Sequence, residues 1–96
     1  MKAIFLVECY YSRYGESEHI IEAACSTNEI ALEKFNEVLE KDISNNVIPN
    51  DLVILGVITA VNTNDDVVKG KGYIKIDSPT HDLFYEMFIT EMPLHQ

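Results

Sequence analysis

Positive charge is scarce in this chain. Seven lysines and arginines stand against sixteen aspartates and glutamates in 96 residues, a formal charge of −9. The deficit runs the whole length, with four basic against nine acidic residues in 1–48 and three against seven in 49–96. Phosphate backbones demand the opposite sign, so the balance disfavours direct nucleic-acid binding and points to a protein partner with a basic surface. Paired cysteines are also missing. Cys9 and Cys25 belong to no C-x-x-C unit, which removes zinc-ribbon and thioredoxin-type readings and leaves two reduced, buried thiols as the expectation. No apolar run approaches the ~20 residues of a membrane helix. The apolar start, Ala3 to Val7, is interrupted by Glu8 and followed by no small-residue cleavage site, so a cytoplasmic protein is expected. Repeats, low-complexity tracts and linkers are absent too, which leaves one α+β domain over 1–96.

What is present reads as a succession of short elements. Ala3, Phe5, Val7, Cys9 and Tyr11 alternate with Ile4, Leu6, Glu8 and Tyr10, and a second alternation covers 17–25, so two strands are expected. Arg13-Tyr14-Gly15 between them fits a three-residue hairpin loop, with Gly15 in the left-handed position. That register pairs Ser12 with Glu16, Cys9 with His19 and Ala3 with Cys25. It also sets the two cysteines six steps apart along the ladder, ~20 Å, too far for a disulfide. Ser26 to Glu29 reads as a capping box that opens a helix over 27–42. The helix carries an apolar stripe of Ala31, Leu32, Phe35, Val38 and Leu39 opposite an acidic face. Residues 52–61, apolar on both alternating faces and rich in β-branched residues, are expected to form a central strand. Turn chemistry follows at Asn62 to Asp66, then a strand over 67–77 weakened or bulged by Gly70 and Gly72. Residues 79–92 fit helical and strand periods alike, and the aromatics tip the reading toward strand.

The fold expected is therefore α+β: a mainly antiparallel twisted sheet in the order ββαββ plus a C-terminal strand or helix, with one amphipathic helix packed on one face. A single helix covers one face only. Ile4, Leu6 and their neighbours on the other must meet the C-terminal segment or another chain.

Several residues invite a chemical reading. Cys9 and His19, as cross-strand neighbours, would form a thiol and base pair, the one enzymatic alternative, but no oxyanion site or orienting group accompanies them. His19, His81 and His95 are scattered, so no metal site is expected, and nothing implies a cofactor. Lys69-Gly70-Lys71-Gly72 lacks the P-loop pattern, although it forms the one local basic patch. Tyr10, Tyr11, Arg13 and Tyr14 are of the residue types that anchor protein interfaces, and Glu33, Glu37 and Glu40 on the helix would steer a basic partner. No catalytic residue is assigned. Two function classes follow: a non-enzymatic module that blocks a basic surface through those seven residues, or a homo-oligomer that holds an anionic ligand between subunits through Arg13, Lys69 and Lys71.

The layout as a whole, an MKAIFLVECYY strand, a tyrosine-rich hairpin and an STNEIALEKF helix start in a short acidic chain, resembles the small acidic α+β proteins with which bacteriophages inhibit host enzymes or defence systems. The resemblance implies an inhibitor that binds a host protein. It carries no site residues across.

Overall fold

The computed structural model describes residues 2–50, 52 and 65–94. The strand expected over 52–61 lies outside the described residues except for Leu52, which is buried. The expected turn at 62–66 is described only at its last two residues.

Five strands and one long helix make up the described chain: β1 Lys2–Arg13, β2 Glu16–Cys25, α1 Asn28–Ser44, β3 Asp66–Gly70, β4 Tyr73–Ser78 and β5 Leu83–Leu94. The strands form one antiparallel sheet in the order β2-β1-β5-β4-β3. The C-terminal segment is thus a strand, and it lies inside the sheet beside β1 rather than across its face. Ser78 and Pro79 do start helical backbone, but only a single 3₁₀ turn, Pro79–His81, which Asp82 ends at a left-handed φ of 50°.

The first hairpin departs from the expected register by one residue. Its loop is Tyr14-Gly15, with Arg13 opposite Glu16 and Tyr10, not Cys9, opposite His19. Both loop residues have positive φ, 55° and 81°, the geometry of a two-residue turn whose twist suits the flanking strands. A bulge at Val7/Glu8 leaves Glu22 without a partner and restores the inward face for Ala23 and Cys25. Cys25 lies opposite Phe5, four steps from Cys9 or ~13 Å along the strand. Both thiols are free.

The segment expected as one bulged strand over 67–77 is a tight hairpin. Gly70 pairs with Tyr73 across the turn Lys71-Gly72. Gly72 sits at φ 70°, and a Cβ there would meet Leu32 Cδ2 at 3.0 Å and Ile89 Cδ1 at 3.1 Å. The turn therefore presses against α1 and β5.

The helix begins one residue later than the expected capping box. Thr27, not Ser26, is the cap, and its side chain accepts from the Ile30 N–H at 3.2 Å. The asparagines end it as expected, with Asn46 at φ 59°. Its apolar stripe buries Ala31, Phe35 and Leu39 against Val7, Cys9, Tyr85 and Met87, with Ile74, Ile76 and Leu83 completing the core. A polar tie crosses this layer: Tyr85, fully buried, donates its hydroxyl to Asp42 Oδ2 at 2.6 Å.

Candidate functional site

Strand alternation divides the sheet into a face under α1 and a face that no described element covers. The ladder registers set the uncovered face out in rows. Across β3, β4, β5, β1 and β2 the first row is Asp66, Asp77, Phe84, Ser12 and Ser17; the second is Val68, Lys75, Glu86, Tyr10 and His19; the third is Gly70, Tyr73, Phe88, Glu8 and Ile21. Beyond these, Thr90 and Leu6, then Met92 and Ile4, then Leu94 and Lys2 continue on the two long strands. Aromatic and aliphatic side chains run through all of them. Tyr10, Ile21, Val68, Met92 and Leu94 are exposed large apolar residues of this face.

Several of its polar groups are tied down in pairs. Glu8 accepts the Thr90 hydroxyl at 2.6 Å on Oε2, and its Oε1 lies 3.0 Å from His19 Nε2. Tyr73 donates to Glu86 Oε2 at 2.8 Å. That bond to a carboxylate raises the pKa of the Tyr73 hydroxyl. Tyr10 stacks on His19 with centroids 4.1 Å apart and planes within 6°, and on Phe88 at 5.8 Å. The central aromatic is thus held from two neighbouring strands, a rigid feature in a partly apolar field.

A groove of about 300 Å³ opens at the hairpin end of this face, lined by Tyr10, Tyr11, Ser12, Ser17, Glu18, Phe84 and Glu86. A second, of about 550 Å³, lies where the Lys71-Gly72 turn meets the start of α1, lined by Asn28, Leu32, Phe5, Ile89 and Glu91 as well.

No family model, curated protein or solved structure matches the chain. The site is therefore read from its geometry alone.

The residues singled out in the sequence do not form one surface. Tyr10 stands on the open face. Tyr11 points the other way, its ring edge-on to buried Tyr85 at 6.5 Å. Arg13 and Tyr14 form the tip, the guanidinium carbon 5.0 Å from the Tyr14 ring centre, and Arg13 Nε is buried with no hydrogen-bond partner among the described residues. Tyr14 is 72% exposed at a left-handed φ that a tyrosine adopts only at a cost. Glu33, Glu37 and Glu40 are exposed on α1, on the far side of the sheet from Tyr10, and Glu37 pairs with Lys34 at 3.2 Å. Of the three cations named for an anionic ligand, Lys69 is in β3 and Lys71 in the turn that follows it, whereas Arg13 lies opposite Leu83, five steps or ~17 Å along β5 from the Phe88 row.

The Cys9 and His19 pairing is corrected. The one-residue slip sends Cys9 inward and His19 to the open face, so imidazole cannot reach the thiol. Burial pushes the Cys9 thiol up to about 11, the opposite of nucleophile activation, with a hydrogen bond to Tyr85 pulling the other way. Among the described residues no three or more His, Cys, Asp or Glu side chains gather as metal ligands, and no described helix is long and apolar enough to cross a membrane.

Phe84, Glu86, Phe88, Tyr73 and Glu8 were not singled out in the sequence. The alternation in FYEMF shows the first three on one face once the segment is read as a strand. The cross-strand neighbours Tyr73 and Glu8 needed the register.

Proposed function

We propose that this protein is a non-enzymatic binding module that inhibits a partner protein by covering a basic surface on it. The observation that carries the reading is the open sheet face, which combines an apolar field, a rigid aromatic centre and tethered carboxylates in a chain of charge −9. Contiguous exposed apolar surface marks interaction sites, and aromatic residues at the centre of such a patch supply most of the binding energy. The exposed Tyr14 at the hairpin tip extends the contact from one end. Strain retained in an exposed side chain agrees with a role outside the fold's own stability. Glu33, Glu37 and Glu40 act at a distance, adding to the negative field rather than to the contact.

A second reading, a homo-oligomer with an anionic ligand between subunits, draws on the same open face and on the groove beside Lys71. Separation of Arg13 from Lys69 and Lys71 weighs against it, as does Glu91 in that groove.

The test is binding to the partner isolated from the native cell, measured at low and high salt. Association should slow about tenfold or more from 20 to 500 mM salt, because steering between opposite charges is screened. Tyr10→Ala and Phe88→Ala should each weaken affinity by about tenfold or more, the range of central aromatic anchors. Affinity indifferent to salt and to both substitutions overturns the reading.

A further inference from the structure

We infer that the groove at the hairpin end of the open face is a socket for an arginine side chain of the partner. This inference rests on the reading that the open face meets a basic protein, and it names the group received there.

The rows bring together what a guanidinium needs. Phe84 lines the groove, and its ring makes no stacking or cation contact with any described residue. Tyr10 forms an opposing wall already fixed by its stacks on His19 and Phe88. Glu86 contributes a carboxylate whose Oε2 holds the Tyr73 hydroxyl. Its Oε1 has no hydrogen bond to another described residue. The Ser12 and Ser17 hydroxyls, 3.2 Å apart, add acceptor oxygens to the floor. An unpaired aromatic face next to a carboxylate is the recognition chemistry of an organic cation.

The surrounding charge favours the same occupant. Asp66 and Asp77 lie directly opposite each other in the row that contains Phe84, and neither is in an ion pair among the described residues. Like charges placed across a ladder destabilise it, and an arriving cation relieves that repulsion. Lys75 is the one lysine or arginine in the first two rows, beside Glu86 in the ladder and without an ion pair to it. Even with it, these four residues sum to −2. Arginine is preferred over lysine because its planar head lies flat on a ring and directs five donors at several acceptors at once, whereas ammonium is a compact, strongly hydrated point. A groove of about 300 Å³ accommodates one such side chain and excludes a folded segment.

Titrating the intact protein with acetyl-Gly-Arg-Gly-amide, followed through backbone amide shifts, tests this. The expected result is saturable shifts at Tyr10, Ser12, Phe84 and Glu86, with the lysine peptide binding about threefold or more weaker and the uncharged citrulline peptide about tenfold or more weaker. Glu86→Gln, which keeps an acceptor for Tyr73, should weaken the arginine peptide about fivefold, and Lys75→Gln should strengthen it about twofold. Equal binding of arginine and citrulline peptides, or no shift at all, overturns the socket. Shifts confined to α1 around Glu33, Glu37 and Glu40 also overturn it, while leaving basic-partner binding intact. Conversely, an arginine peptide held in the groove by a protein whose full partner ignores salt and Tyr10→Ala would separate the socket from the wider reading.

Discussion

At the scale of single residues, the two sides of the sheet carry opposite kinds of polar chemistry. Beneath α1, Cys9 and Tyr85 are buried, and burial raises both pKa values, that of Tyr85 helped by its bond to the Asp42 carboxylate. A group whose folded pKa lies above its unfolded value contributes stability below the unfolded pKa and loses it as pH rises through the folded one. For Cys9 the window is from about 9 to about 11. Thermal stability should therefore fall across that range, by about 3 kcal/mol at most from the thiol, and Cys9→Ala should flatten part of the slope. Melting temperatures that decline equally in both proteins contradict this. On the open face, by contrast, half-buried polar groups such as Glu8 with Thr90 and Tyr73 with Glu86 are paired across neighbouring strands. The sequence shows which of these residues are chemically interesting but not which side they take, since one step of register sends His19 from beside Cys9 to the opposite face.

At the scale of elements, turns decide what strand alternation leaves open. Tyr14-Gly15 and Lys71-Gly72 each contain a glycine at positive φ, and each fixes the register of a hairpin. Gly72 answers to two constraints, its φ and its closeness to Leu32 and Ile89, whereas nothing lies within 4 Å of a Cβ at Gly70. Gly72→Ala should cost about 1 to 3 kcal/mol in denaturant unfolding, and Gly70→Ala should stay within about 0.5 kcal/mol of the parent. Equal losses would mean that the turn does not bear on α1. The helix stripe and both strands of the first hairpin are legible in the sequence because each has a single clear period. The second hairpin is not, because its turn is only two residues long and one of them is a lysine. Strand β5 is ambiguous for a different reason: Leu83, Phe84, Met87, Phe88 and Met92 satisfy a helical spacing while Leu83, Tyr85, Met87 and Ile89 satisfy a strand. Partnership with β1 on one side and β4 on the other decides for the strand. The exposed edge strand β2 is interrupted by the bulge and carries Glu16, Glu18 and Glu22, which discourage pairing with another edge.

At the scale of the whole molecule, the described residues form a two-layer fold in which the one long helix covers one sheet face and no described element covers the other. Five strands of 12, 10, 5, 6 and 12 residues, at ~3.3 Å per residue and ~4.8 Å apart, give the open face an area on the order of 700 Å². That is close to the ~800 Å² per partner of an ordinary stable interface. The −9 charge selects who approaches, and the aromatic rows decide what stays. The most direct test of this account replaces Phe88, on the open face, or Glu37, on the outer side of α1, with photoreactive benzoylphenylalanine and irradiates each protein with its partner bound. The account predicts an efficient crosslink from position 88 and little or none from position 37. Crosslinking from position 37 with position 88 silent would place the partner on the helix and contradict it.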